Sequence, residues 1–135
     1  MRINSKGAIG AVLLSAVLVA AQFATAAVEA VNPSNSWRIE CSGNAESSGT
    51  IEFRVLPQQG AVIPVSVQVE KGRSENDVAK AIRDAFRAQL PAARFTAETD
   101  DGEDVLVKKK GGQPDFAIEL AASNVEHVRL SLQRE

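Results

Sequence analysis

Hydrophobic period constrains this chain more than any other feature. Seven short segments alternate apolar and polar residues, and a single segment repeats every four. Trp37, Ile39 and Cys41 alternate with Arg38, Glu40 and Ser42. Ile51, Phe53 and Val55 alternate with Glu52 and Arg54, and Val65, Val67 and Val69 with Ser66, Gln68 and Glu70. Period two places one set of side chains on a core face and the other in water, so these are half-buried strands. Pro64 has no N–H to donate, which puts the start of the third strand at or after it, or places it on a sheet edge. Turn residues separate the runs, among them Ser42-Gly43-Asn44 and Pro57-Gln58-Gln59-Gly60.

The period then changes. Val78, Ile82, Phe86 and Leu90 recur every four residues, with Ala81 and Ala85 widening the stripe. Gln89 ends the widening, and Lys80, Arg83, Asp84 and Arg87 take the wet side. Ser74 three residues before Asp77 is a capping-box-like start, and Pro91 is a stop. The spacing predicts an amphipathic helix over about 75–90. Four more strands follow, around Phe95–Ala97, Val105–Val107, Phe116–Leu120 and Val128–Leu132. Asp100-Asp101-Gly102-Glu103 reads as the turn of a tight hairpin between the first two.

The order βββ-α-ββββ predicts an α+β domain, an antiparallel sheet of about seven strands with the helix packed on one face. The dimensions create a difficulty. Seven strands at about 4.8 Å span roughly 30 Å, whereas a helix is about 10–12 Å across. Every strand has an apolar face, so the sheet must curl over the helix, split into two layers, or bury the remainder against a partner.

The N-terminus carries a second signal. Arg2 and Lys6 precede an almost wholly apolar run from Ala8 to Ala21, and Ala24-Thr25-Ala26 is a small-x-small cleavage site. This is the layout of a Sec-type signal peptide over 1–26. The dense apolar run is shorter than the roughly 20 residues a spanning helix needs, so no stable membrane anchor is expected after cleavage. Cys41 lies too far downstream for lipidation at the cut. Residues 27–36, with Asn32-Pro33-Ser34-Asn35-Ser36, read as a flexible lead-in, and 37–135 as one domain. The Ala-rich signal points to a bacterial protein, periplasmic or secreted. Setting Arg2 and Lys6 aside leaves 13 basic against 17 acidic residues, a net charge of −4. That balance, with no Tyr and with the Phe residues at core positions, argues against nucleic acid as a partner. Hydrophobic content of 44% argues against disorder.

The candidate chemistry is thin. Cys41 and His127 are the only thiol and imidazole. A Cys–His dyad is the obvious nucleophilic pair, but Cys41 falls on the apolar face and His127 on the polar one. A buried free Cys behaves as a small apolar residue. A lone Cys also excludes an intrachain disulfide. Asp100, Asp101, Glu103 and Asp104 offer oxygen ligands for calcium, without EF-hand spacing; the plainer reading is a solvated hairpin tip. As neighbours on one tip they do not flank a scissile bond. Lys108-Lys109-Lys110 before Gly111-Gly112 lacks phosphate-loop order and reads as a solvated strand end. Trp37 reads as a core anchor, with a partner-facing aromatic as the alternative. No catalytic, cofactor-binding or metal-ligating residue is assigned.

From Val65 to Ala85, alternating valines lead to Gly72-Arg73-Ser74 and then to a helix that opens Asp77-Val78-Ala79 and continues to Ile82. This step resembles small β/α modules of bacterial surface proteins and phage-tail-type proteins, and the Phe95–Val107 hairpin is similar too. The resemblance implies assembly or display and brings no catalytic residues. The expected function is a non-enzymatic exported module for protein–protein contact or self-association. The alternative is a small-ligand binder with a pocket between sheet and helix, lined by Phe53, Phe86 or Phe116.

Overall fold

The computed structural model describes residues 32–135. The signal peptide expected over 1–26, and the lead-in up to Val31, lie outside the described residues. The elements are β1 (Ser36–Ser42), β2 (Gly49–Pro57), β3 (Ile63–Val69), α1 (Glu75–Gln89), β4 (Phe95–Asp100), β5 (Asp104–Lys109), β6 (Phe116–Ser123) and β7 (Arg129–Arg134). The fold is α+β, with one helix and seven strands among the described residues.

The expected single sheet is corrected. The strands form two antiparallel sheets, one of four in the order β4-β5-β1-β7 and one of three in the order β3-β2-β6. The chain thus splits its strands into two layers, and each layer covers the other's apolar face. The rings show the packing: Phe95 of β4 meets Phe116 of β6 edge to face at 5.2 Å. Trp37 of β1 is only 8% exposed and donates its Nε1–H to the Phe116 carbonyl at 2.8 Å. The helix position is corrected as well. Instead of lying on one face, α1 packs against β3 of one sheet and against β4, β1 and β5 of the other. It bridges the gap between the two layers, with Phe86 against Phe53 at 5.2 Å.

Sequential strands are not all neighbours. β1 pairs with β5 and β7, not with β2. The β1–β2 connection instead crosses between sheets and docks on the start of the helix. Ala45 N–H donates to the Arg73 carbonyl, and Gly72 N–H to the Ala45 carbonyl, both at 2.8 Å. Asn44 Oδ1 accepts from Glu75 N–H at 3.2 Å, while the Glu75 carboxylate accepts from Gly43 N–H at 2.8 Å. Gly43 has φ +89, and a Cβ there would collide with the His127 carbonyl. Glycine is therefore required where this loop passes the β6–β7 connection. Ser74 caps the helix by accepting from Asp77 N–H at 3.2 Å. Leu90 turns to extended backbone ahead of Pro91, as a residue before proline prefers.

Candidate functional site

Two open-edged sheets that face each other leave four edge strands: β3, β4, β6 and β7. An unpaired edge presents N–H and C=O groups to any passing strand. How each edge is treated therefore indicates where another chain can attach.

The β3 and β4 edges flank the helix, and its last turns cap both. Gln89 Oε1 accepts from Ser66 N–H at 2.8 Å, and Gln89 Nε2 donates to the Ser66 carbonyl at 2.8 Å. One side-chain amide thus imitates a neighbouring strand. Arg87 Nε donates to the Ala97 carbonyl of β4 at 2.7 Å. Pro64 sits inside β3 at an outward-facing position of this edge strand, where β2 asks no N–H of it.

The β6 and β7 edges have no such cover among the described residues. The seam between them is pinned at one end. Ser34 exchanges both backbone bonds with Phe116, at 2.8 and 2.9 Å, and its hydroxyl donates to the Glu135 carbonyl at 3.1 Å. Because Phe116 turns its backbone groups outward, alternation turns those of Ile118 and Leu120 the same way, away from β2. A register shift at Glu52/Phe53 leaves Ala121 without a partner on β2. Bulges of this kind are common at sheet edges and re-aim side chains. Leu120 is 40% exposed, the only large apolar side chain so exposed among the described residues. On β7, Leu130 and Leu132 face inward beside Cys41 and Ile39 and are only partly buried. Arg134 shares their face, is exposed, and makes no ion pair among the described residues.

The residues singled out from the sequence lie elsewhere. Cys41 is 2% exposed, and burial, with Asp104, Glu75 and Glu103 nearby, pushes its thiol up to about 12. His127 is exposed, with φ +72, and its Nδ1 is 3.7 Å from Glu46. No hydrogen bond joins it to the thiol among the described residues. The acidic cluster is organised by an arginine. Asp100 and Asp104 stand directly opposite in the β4–β5 register, a repulsive placement. Arg38 Nη1 bonds both, at 3.0 and 2.9 Å, and its Nε reaches Glu135 at 3.2 Å. The guanidinium is 18% exposed, and these carboxylates raise its pKa above the ordinary value, Glu135 contributing most. Asp101 and Glu103 stay in the turn, where Asp101 and Gly102 both have positive φ. Among the described residues no group of acids, His or Cys has a metal-holding arrangement. Lys108 lies 3.7 Å from Glu98, and Lys109 2.8 Å from Asp115. Lys110 borders a cleft of about 310 Å³ between the end of α1 and β4, floored by Phe86, Leu90 and Phe95.

Gln89 and Arg87 are what sequence reasoning missed. Both read as ordinary polar positions at a helix end. Only their three-dimensional position, opposite two strand edges, reveals their role. No protein-family model matches the chain, and no curated protein matches it.

Proposed function

We propose that this is an exported, non-enzymatic module that works by protein–protein contact, and that the contact lies at the β6–β7 seam. The carrying observation is the unequal treatment of the edges. Helix side chains cap β3 and β4, while β6 shows Leu120 and outward backbone groups with no cap among the described residues. Natural sheets normally blunt an edge with charge, proline or cover. Strand addition at an open edge is a recurring mode of protein recognition. The Sec-type layout expected over residues 1–26 supports a module that acts in the periplasm or outside a bacterial cell. The resemblance of the β3–α1 step to surface and phage-tail modules agrees with an assembly role.

The excess apolar strand face expected from the sequence does not carry this reading. Splitting into two sheets buries most of that face, and the edge takes its place as the basis for contact. The test is the solution mass of Ala27–Glu135, by light scattering under reducing conditions over a range of concentrations. Self-association through the seam raises the mass with concentration, and Leu120→Lys abolishes the rise. A constant monomer mass contradicts self-association and leaves a different protein as the partner.

A second reading is favoured by the cleft between α1 and β4. Its volume of about 310 Å³ and apolar floor, with Arg87 and Lys110 at its border, suit a small amphiphilic ligand. Phe53 and Phe116 take no part in it, since both rings are engaged in the core. Mass spectrometry of the natively purified chain tests this reading. A co-purifying small molecule that is lost in Leu90→Arg supports it, and a bare chain contradicts it.

A further inference from the structure

We propose that the cleft between the end of α1 and β4 binds a small organic carboxylate with a compact apolar body, its carboxylate held by Arg87, Lys110 and the Ala97 N–H. This rests on the cleft reading above and adds the ligand's charge and chemical class.

The N–H follows from strand alternation. Lys110 N–H donates to the Arg94 carbonyl at 2.8 Å across the β4–β5 hairpin. Alternation then puts Thr96 and Glu98 in the ladder, and turns the N–H and C=O of Phe95, Ala97 and Thr99 away from β5 toward the free edge. Two of these outward groups are engaged. Phe95 N–H donates to the Pro91 carbonyl at 3.1 Å, and the Ala97 carbonyl accepts from Arg87 Nε at 2.7 Å. The Ala97 N–H has no acceptor among the described residues, although the residue is only 4% exposed and lines the cleft. Such a donor is uncommon at that depth, and an incoming acceptor gains a bond there that costs the chain none of its own.

The charges point the same way. Arg87 spends its Nε–H on Ala97, which fixes the guanidinium beside β4 and leaves both Nη groups for a ligand. Neither Arg87 nor Lys110 makes an ion pair among the described residues, and both line the cleft. Glu98 lines it too, but Lys108 engages it at 3.7 Å. The C-terminal end of α1 carries a partial charge of roughly −0.5, which two full cations outweigh. Arg94, over the Phe95 ring at 5.5 Å, adds a third beside the floor. A carboxylate matches this set, because its two oxygens can accept from a planar guanidinium and from an N–H together. The rest of the ligand is set by Leu90, Ala92 and Phe95, whose side chains offer no hydrogen bond, and by a volume of about 310 Å³ that admits only a small molecule.

The probe is hexanoate, added at neutral pH to isotope-labelled Ala27–Glu135. Hexylammonium and hexanol are the charge controls, and acetate is the control without an apolar body. Amide proton shifts are read residue by residue by NMR. The expected result is a downfield shift of the Ala97 amide proton that saturates with a Kd of about 1 mM. All three controls should bind at least about fivefold more weakly. Arg87→Gln should weaken hexanoate about tenfold. Lys110→Glu, at an exposed position beyond β5, should reverse the preference between hexanoate and hexylammonium, with Tm moving by less than about 2 °C.

An Ala97 amide unmoved by hexanoate overturns the proposal, as does an unchanged preference in Lys110→Glu. Equal binding of acetate overturns it too, since the apolar walls would then contribute nothing. If hexanol or hexylammonium shifts the cleft amides and hexanoate does no better, this inference falls and the cleft reading stands. If no probe shifts Leu90, Phe95 or Ala97, both fall.

Discussion

The two gaps between the sheets are closed by different means. Between β3 and β4 lies the helix, whose Phe86 fills the core and whose Gln89 and Arg87 bond to the strand edges. Between β6 and β7 lies no element among the described residues. Among the described residues that seam is held at its ends, by Ser34 and Trp37 on Phe116 and by the connection that carries Val125 into the core. Among the described residues, the same core thus has one side capped by helix side chains and one side without such a cap. A helix that seals an edge removes an aggregation hazard. An edge left unsealed retains the ability to pair.

The largest expected effect lies on the sealed side. Phe86 is fully buried against Phe53, so Phe86→Ala should cost about 3–5 kcal/mol by denaturant unfolding. Leu120→Ala on the open side should cost far less, about 1–1.5 kcal/mol, because the residue is already 40% exposed. Equal losses would mean that the two sides are packed alike.

Arg38 comes next, since it anchors the end of β7 from the outer face of the four-stranded sheet. It ties Glu135, next after β7, to the β4–β5 hairpin at Asp100 and Asp104. Asp104 is 12% exposed as a side chain, so its pair lies between a surface and a buried one. Arg38→Ala should cost about 2 kcal/mol after allowance for solvent at the two more exposed acids. A double-mutant cycle with Asp104→Ala should recover part of that loss, because the removed carboxylate no longer faces Asp100.

Gln89→Ala opens the sealed side. It frees the N–H and C=O of Ser66 for a cost of about 1 kcal/mol, and turns β3 into a second open edge. Light scattering should then show more association than in the wild type. An unchanged mass would mean that the Gln89 cap does not guard the edge.

The smallest effect at neutral pH concerns Cys41, which stands opposite Leu130 of β7. Its thiol should resist a disulfide reagent at pH 8 until the chain is unfolded, if the open seam admits no water to the core. The sign of its pH dependence follows from a pKa raised by burial from 9.0 to about 12. Above pH 9 the unfolded thiol ionises while the folded one keeps its proton. Stability is therefore full below pH 9 and falls as pH rises toward 12, by at most about 1.4 kcal/mol per pH unit. Cys41→Ala should remove that slope.

Much of the local structure was legible in the sequence, because local structure depends on period and on caps. Ser74, the spacing Val78-Ile82-Phe86 and Pro91 fixed the helix to within a residue of its observed end at Gln89. The hairpin at Asp101-Gly102 followed from its turn residues. Layering was not legible. Alternation at Trp37, Ile39 and Cys41 says that one face is buried but not what buries it. Short connections were expected to join neighbours, yet the β1–β2 loop spends its length on Ala45 and the helix start, and so carries the chain into the other sheet. The role of the acidic hairpin also depended on a distant residue. Arg38 is far away in sequence, and only β1–β5 pairing, which sets it opposite Leu106, brings its side chain within reach of Asp100 and Asp104. For the same reason Gln89 looked like a polar end to an apolar stripe.

Native-state amide hydrogen exchange of Ala27–Glu135 without added ligand compares the sealed and the open side at two edge amides. Ser66 N–H donates to Gln89 and should exchange at least about tenfold more slowly than Leu120 N–H, which has no such acceptor among the described residues. A Leu120 amide protected as well as Ser66 in the dilute monomer would contradict the claim that one side of the core is sealed and the other left open.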